Sequence, residues 1–290
     1  MWRRWTREFL DALHQARLPE EVIWKINCRA DVVEPELFAE MRDAGLYLVY
    51  MGLESGSEQG LETLNKEVSV EQNIQAVKVL REVSLMHEFG FMLFDPSSTF
   101  QSIRDNAQFL RTICDDGRVA AVFCRMLPYD GTPIKDELAR TGRLRGDVYN
   151  PDYDFLDPRL DGYYYELKDI VDVTGWIHGY KSLSPQLNHA WHEVAIIERL
   201  FPSLGDLPIY TERLSQITKA SNEMLLTLVE DLADVHELGR PNRTNPAELQ
   251  AAGQRFLAEL VEERNAFIAA NQDILMQALE REVSLAAVSA

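Results

Sequence analysis

The spacing of hydrophobic positions divides the chain into two halves. Up to about residue 144, short apolar runs rich in β-branched and aromatic residues alternate with segments whose apolar residues recur every three or four positions. The runs predict four strands, at residues 22–28, 46–53, 89–94 and 119–126. The periodic segments predict helices at residues 5–15, 34–44, 57–65, 70–83, 102–114 and 133–141. Parallel strands need crossover connections that bury both sheet faces, so this alternation predicts an α/β fold with a parallel sheet.

The second half has a different pattern. Residues 145–165 are rich in Asp, Pro, Tyr and Gly and include three consecutive tyrosines at 163–165, which predicts a linker or a long loop folded over a site. Beyond it only helices are predicted, at residues 187–201, 209–238 and 246–285. We therefore divide the chain into an α/β part at 1–145, a connecting segment at 146–186 and an all-α C-terminal domain at 187–290. The last helix is expected to pack within the chain rather than against a second copy.

Composition narrows the class of protein. With 290 residues, of which 46% are hydrophobic, the chain is long enough for a substantial core. Its 29 Lys and Arg stand against 47 Asp and Glu, and a net charge of -18 disfavours nucleic-acid binding. No apolar stretch approaches the roughly 20 residues that span a bilayer, so we expect no membrane span. The basic start of the chain lacks the apolar run of a secretory leader, and a cytoplasmic location is expected.

The loop after the second predicted strand holds the most informative run, GLESGSE at residues 52–58. Carboxyl ends of parallel strands face the ligand in α/β folds, so Glu54 is placed to bind an amine or ribose hydroxyls. The alternative is structural, with Ser57 as a helix N-cap and Glu54 as a solvated loop charge. Nearby, Lys66 is expected to pair with Glu62, four residues before it, rather than to touch a ligand.

This run, followed by LNK at 64–66, resembles the segment after the fourth strand of radical S-adenosylmethionine (SAM) enzymes, especially those with a cobalamin-binding domain. Further matches follow in order: CRAD at 28–31, MRDAG at 41–45, GFMLFDP at 90–96 and MLPYDGTP at 126–133. The resemblance covers residues 22–144. It implies a partial radical SAM (β/α)6 barrel, with four parallel strands present, whose upper rim holds a [4Fe-4S] cluster and SAM.

The resemblance also assigns candidate cofactor-binding residues. Glu54 and Ser55 would contact SAM through its amino group or ribose, and Arg29 would lie near its carboxylate. The other positions that match SAM-side segments are Gly52, Asp95, Met126 and Tyr129. Asp95 departs from the Gly-Pro-Gly-Glu-like strand end that is usual in the family, which weakens the transfer at that position. Met126 and Tyr129 would face the adenine or the substrate.

The chain lacks the Cys-x-x-x-Cys-x-x-Cys loop that binds the cluster in this family. By the resemblance it begins after the second strand of the barrel, so the cluster loop and a cobalamin domain would lie elsewhere. Cys28, Cys114 and Cys124 are widely spaced, and we expect reduced, buried thiols rather than cluster ligands or disulfides. The first predicted strand would leave an open edge, completed by a partner chain, a second copy or an upstream segment. Otherwise the sequence is a gene fragment or its start is miscalled.

A second candidate, His189 and His192, has a spacing that suits a metal, but no Cys or carboxylate pattern completes the site. A surface or partly packed helix is favoured there. The leading hypothesis is therefore SAM-dependent radical methylation, rearrangement or cyclisation of a small metabolite or natural-product intermediate. The competing hypothesis is a non-catalytic barrel remnant that serves as a binding or assembly subunit.

Overall fold

The computed structural model describes residues 2–18, 22–201 and 204–276, and its first half is α/β as predicted. Four parallel strands lie in the order β1-β2-β3-β4. They are β1 (Trp24–Cys28), β2 (Leu46–Glu54), β3 (Met86–Phe94) and β4 (Cys124–Arg125). The helices of this half are α1 (Trp2–Gln15), α2 (Pro35–Asp43), α3 (Glu58–Thr63), α4 (Val70–Glu82), α5 (Phe100–Ile113) and α6 (Pro133–Arg140). A short 3-10 helix follows β1 at Ala30–Val32.

The two faces of the sheet differ in character. The face packed against the helices is apolar and buried, with residues Val49, Met51, Leu53, Phe89 and Phe91. The opposite face, which we call the inner face, has apolar Leu48 and Met86 near the starts of the strands and otherwise carries Lys25, Asn27, Tyr50, Gly52, Glu54, Glu88, Gly90, Met92 and Cys124. Polar groups and glycines on the inner face make it the face available to a ligand.

The fourth strand is shorter than predicted. Only Cys124–Arg125 pair with β3, whereas the prediction covered 119–126. Before Cys124 the backbone has no neighbouring strand to bond to within the described residues, and side-chain amides bond to it instead. Asn188 Oδ1 accepts from the Ala120 N–H at 2.7 Å, and Asn222 Oδ1 accepts from the Ala121 N–H at 2.7 Å. This apolar run is buried, as the pattern indicated, but two asparagines from distant helices satisfy its backbone.

Residues 145–165 do not form the predicted loop. They contain most of a hairpin of β5 (Leu144–Gly146) and β6 (Pro151–Tyr153), and then the start of α7 (Pro158–Thr174). Asp157 caps that helix and Pro158 occupies its first turn, a start signal that the loop-like composition obscured. Tyr163 is fully buried and donates to the Val229 carbonyl at 2.9 Å, so this tyrosine belongs to the core.

Arg125 of β4 packs against the hairpin and the start of α7. Its guanidinium carbon lies 4.0 Å, 4.5 Å and 4.3 Å from the ring centres of Tyr153, Phe155 and Tyr164. Its side chain is only 5% exposed and pairs with Asp152 at 3.2 Å. A cation enclosed by three aromatic rings is stabilised by their π-electron faces. The hairpin and α7 are therefore packed firmly against the end of β4.

The rest of the described chain is helical, as predicted, with α8 (Leu183–Leu200), α9 (Leu207–Leu238) and α10 (Pro246–Ala270). Ion pairs join α5 to α9, among them Arg104 with Asp234 at 2.8 Å and Arg111 with Glu230 at 2.6 Å. The helix α10 packs on α7, α8 and α9, which confirms intrachain packing. Its predicted continuation beyond 276 lies outside the described residues, and the three-part division stays a prediction. No helix in the described ranges has the length and apolarity needed to cross a bilayer.

Three arginines link helices to one another at the end of the sheet where the strands begin. Arg199 of α8 donates to the carbonyl of Arg42 at 2.8 Å, Arg42 of α2 donates to that of Val83 at 2.9 Å, and Arg81 of α4 donates to that of Ile113 at 2.6 Å. Each bond satisfies a carbonyl at or just past the C-terminus of another helix, which carries partial negative charge. Hydrogen bonds between helices thus order this end, and Gly52 and Glu54 of the inner face lie toward the other end.

Candidate functional site

Glu54 ends β2 with its carboxylate folded back over the inner face. Its φ is +67°, a left-handed conformation that turns the chain sharply out of the strand. A Cβ atom at Gly52 would lie only 2.6 Å from Glu54 Oε1, so glycine at position 52 makes room for the carboxylate. The Glu54 side chain is 19% exposed. The structure therefore places a largely buried but reachable carboxylate where the sequence predicted a ligand contact.

Lys66 holds this carboxylate. Its Nζ lies 2.8 Å from Glu54 Oε1, and the predicted pairing with Glu62 is wrong. The reason is that α3 ends at Thr63 and Asn65 has a φ of +52°, so Lys66 lies beyond the helical spacing and points back toward the end of β2. A cation thus neutralises and orients Glu54 from the side.

Ser55 is turned into the protein. It is 1% exposed, and its hydroxyl donates to Asn106 Oδ1 at 3.0 Å. The same oxygen accepts from the Gly56 N–H at 2.7 Å, and Asn106 Nδ2 donates to the Leu93 carbonyl at 3.2 Å. Ser57 accepts from the Gly60 N–H at 3.0 Å, which confirms it as a helix N-cap. Sequence reasoning missed Asn106, whose signal was a polar residue on the apolar face of a predicted helix.

Arg29 lies at the same edge as Glu54. It directly follows β1, whose last residue Cys28 is the register partner of Met51, so Arg29 and Gly52 are neighbours across the two strands. Its guanidinium is 53% exposed and makes two hydrogen bonds to Asp31, of 3.0 Å and 3.1 Å. These bonds raise the pKa of Arg29 and lower that of Asp31. A solvent-facing cation thus stands one strand away from the Glu54 carboxylate.

The other predicted residues occupy different environments. Asp95 is 2% exposed and accepts from the Ser97 N–H at 2.8 Å and the Ser98 hydroxyl at 3.2 Å, while burial raises its pKa. Met126 is 6% exposed, and its N–H donates to the Phe94 carbonyl at 2.8 Å. Tyr129 is exposed. The structure thus brings Arg29, Gly52 and Glu54 together, and their cofactor contacts stay a prediction, as do those of the remaining residues.

The three cysteines do not fit an iron–sulfur cluster. Cys28 ends β1, Cys114 caps α5, and Cys124 lies on the inner face of β4. Burial raises the pKa of Cys28 to about 12 and that of Cys114 above its ordinary value. Desolvation and Glu54 also raise the pKa of Cys124. All three are free, and protonated thiols are poor iron ligands. Cys114 is buried as predicted, but Cys124 is exposed, because it faces away from the helices.

Each histidine of the pair on α8 lies next to a carboxylate instead. His189 Nε2 lies 3.3 Å from Glu193, and His192 Nε2 lies 2.7 Å from Glu88 on the inner face. Across the described ranges, no group of three or more His, Cys, Asp or Glu side chains is arranged to hold a metal ion. His192 therefore links α8 to the lower part of the inner face.

Comparison with known proteins identifies relatives over part of the chain. No family model matches it. Over 154 residues it is 29% identical to the anaerobic magnesium-protoporphyrin IX monomethyl ester cyclase of Cereibacter sphaeroides, covering 52% of this chain and 24% of the cyclase. Over 114 residues it is 27% identical to an uncharacterized methyltransferase of Pyrococcus horikoshii, covering 39% of this chain and 24% of that protein. The chain thus spans about a quarter of the length of these curated relatives.

A solved structure shares the fold. Apo OxsB, a cobalamin-dependent S-adenosylmethionine radical enzyme, superposes with a TM-score of 0.50 at 14% identity, covering 89% of this chain and 49% of OxsB. At that identity the likeness concerns the fold alone. The motifs at 28–31, 52–58, 90–96 and 126–133 lie at the carboxyl ends of four consecutive parallel strands, and the motif at 41–45 lies between the first two strands. Together with the curated relatives, these observations support the resemblance of the chain to cobalamin-associated radical S-adenosylmethionine enzymes.

Proposed function

We propose that this chain forms the SAM-facing wall of an enzyme that methylates, cyclises or rearranges a small metabolite or natural-product intermediate by radical chemistry. The observation that carries the proposal is the Glu54 carboxylate, fixed over Gly52 on the inner face at the carboxyl end of β2. A cyclase and a methyltransferase among the relatives support these reaction classes. They also favour an enzyme over a non-catalytic remnant.

The residues at this edge suit SAM. Its amino group and ribose hydroxyls are hydrogen-bond donors, for which Glu54 is an acceptor held in place by Lys66. Its carboxylate matches a guanidinium, and Arg29 offers one on the adjacent strand end. When bound beside a reduced cluster, SAM supplies a carbon-centred radical. The part of this chain is to bind and orient that cofactor.

The cluster ligands must come from other residues, because Cys28, Cys114 and Cys124 do not fit. Within the described residues β1 pairs only with β2, so its other edge is free for further strands. We propose that such strands, in a longer polypeptide or a partner chain, carry the [4Fe-4S] ligands, and that a cobalamin domain belongs to that complete form. A reducing cytoplasm would keep the free thiols and the cluster intact.

Isothermal titration calorimetry of the 290-residue chain with SAM tests the proposal. We expect the wild type to bind SAM and Glu54→Ala to bind about 10-fold or more weakly, since a hydrogen bond to a charged group is lost. Glu62→Ala, an exposed change eight positions away, is the matched control and should bind like the wild type. Circular dichroism checks that all three proteins fold. A wild-type chain without affinity for SAM would overturn the proposal, and unchanged affinity in Glu54→Ala would remove Glu54 from the site.

A further inference from the structure

Two glycines lie side by side on the inner face. Gly52 of β2 and Gly90 of β3 are register partners. Neither position carries a side chain, so the two strands present a flat patch of backbone there. Glycine weakens a strand, and its presence in a strand interior often marks a close approach by another group. In this patch, each glycine is covered by a polar atom from β2.

Tyr50 covers the second glycine as Glu54 covers the first. A Cβ atom at Gly90 would lie 2.8 Å from the Tyr50 hydroxyl oxygen. The phenol therefore leans from its own position on β2 across to β3 and toward the carboxyl ends of the strands. Since Gly52 and Gly90 are adjacent, the Tyr50 hydroxyl and the Glu54 carboxylate lie beside each other over the patch. Burial and the nearby charge of Glu54 raise the pKa of Tyr50.

The Tyr50 hydroxyl differs from its neighbours because it is not engaged. Glu54 is paired with Lys66, and Glu88 with His192, at 2.8 Å and 2.7 Å. Tyr50 is 37% exposed, and its hydroxyl has no hydrogen-bond partner within the part of the chain that the structure describes. An exposed aromatic residue in the middle of a strand, with a free hydroxyl beside a fixed carboxylate, is an arrangement suited to a ligand.

We infer that Tyr50 is a second binding residue of the inner face, which donates a hydrogen bond to the same part of the ligand that Glu54 accepts from. This rests on the proposed function, in which the ligand is SAM. A ligand that matches this pair carries a hydrogen-bond donor for Glu54 next to an acceptor for Tyr50. SAM offers it twice, in the amino and carboxylate groups of its methionyl end and in its ribose diol.

Calorimetry with SAM, methionine and 5'-methylthioadenosine tests the inference on Tyr50→Phe. Loss of one neutral hydrogen bond should weaken SAM binding by about 3- to 10-fold. Tyr47→Phe is the matched control, a tyrosine near the start of the same strand and away from Gly52 and Glu54, and should bind SAM like the wild type. A loss confined to methionine assigns the contact to the amino-acid end, and a loss confined to 5'-methylthioadenosine assigns it to the ribose.

Gly90→Ala provides an independent check, because the new methyl group must displace the Tyr50 hydroxyl without removing it. It should weaken SAM binding to a similar degree, and have no further effect when combined with Tyr50→Phe. If Tyr50→Phe binds SAM as tightly as the wild type, the inference falls while the proposed function stands. If the wild type itself does not bind SAM, both fall.

Discussion

Lys66 Nζ lies 2.8 Å from Glu54 Oε1, and this contact joins the end of β2 to the chain that returns after α3. The two side chains are 33% and 19% exposed. An ion pair at this depth contributes modest stability, because desolvation and the loss of side-chain freedom offset much of the attraction. Its larger effect is to give the carboxylate one orientation before a ligand arrives.

Lys66→Met should therefore affect binding more than folding. We expect the free energy of unfolding to fall by less than about 1 kcal/mol. The freed carboxylate would lose side-chain entropy on binding, worth roughly 0.5–1 kcal/mol, so SAM affinity should fall by about two- to five-fold. Urea denaturation and calorimetry measure the two quantities. A loss of SAM affinity as large as that of Glu54→Ala would show that Lys66 contacts SAM directly.

Substitution by alanine should have different effects at two glycines of the motif at residues 52–58. In Gly52→Ala the new methyl group meets Glu54 Oε1 at 2.6 Å, the mobile end of a side chain. We expect stability to change by less than about 1 kcal/mol and SAM affinity to fall by about 10-fold, as in Glu54→Ala. In Gly56→Ala the methyl group meets Phe109 Cβ at 2.2 Å, next to the backbone of α5, which cannot yield. That variant should lose about 2–3 kcal/mol of stability.

Urea denaturation of both glycine variants separates these outcomes. Wild-type SAM affinity in Gly52→Ala would contradict the role of Gly52 as space for the carboxylate. An unchanged unfolding midpoint in Gly56→Ala would contradict the tight contact with Phe109.

Asn106 should stabilise the chain just after β2, at residues 55–56. It is fully buried and bonds to both Gly56 and the Leu93 carbonyl. Asn106→Ala would leave these buried backbone groups without partners and should lower the free energy of unfolding by about 2–4 kcal/mol. Gln108→Ala, an exposed change on the same helix, should stay within about 0.5 kcal/mol of the wild type. Equal midpoints of urea unfolding for the two variants would contradict this support.

The sequence was informative where the signal is local. Ser57 is a helix N-cap because hydroxyl side chains bond nearby N–H groups, and Glu54 could be placed because parallel strands end at one edge. The partner of Glu54 could not be predicted, because it depends on the left-handed turn at Asn65. The role of Asn106 depends on a contact 50 residues away. Such contacts are set by the packing of elements, not by their spacing.

The connecting segment shows a second kind of failure. Asp, Pro and Gly are frequent in loops, and their abundance predicted a loop although Asp157 and Pro158 mark the start of a helix. What orders the segment is Arg125 of β4, which precedes Tyr153 by 28 residues in the sequence and packs against three aromatic rings. From the sequence alone, such an arginine cannot be distinguished from an ordinary charged residue at the end of a strand.

Stability should decrease in acid partly through His87 on β3. Its side chain faces the helices, is 4% exposed, and has a pKa lowered to about 4 by burial and then by Arg81, while Asp116 opposes the shift. The ordinary pKa is about 6.5, so between pH 6.5 and 4 the unfolded chain binds a proton that the folded chain does not. The stability contributed by neutral His87 is therefore complete above pH 6.5. It is lost as the pH falls, by up to about 3 kcal/mol at pH 4.

His87→Phe isolates this contribution. The variant cannot take up the proton, so the difference in unfolding free energy between wild type and variant should shrink steadily from pH 7 to pH 4.5. His14→Phe, an exposed change on α1, should retain the full pH dependence of the wild type. Guanidinium denaturation at half-unit pH intervals gives all three curves. A wild-type minus His87→Phe difference that stays constant over this range would mean that His87 binds its proton equally in both states, because only unequal proton binding makes stability depend on pH.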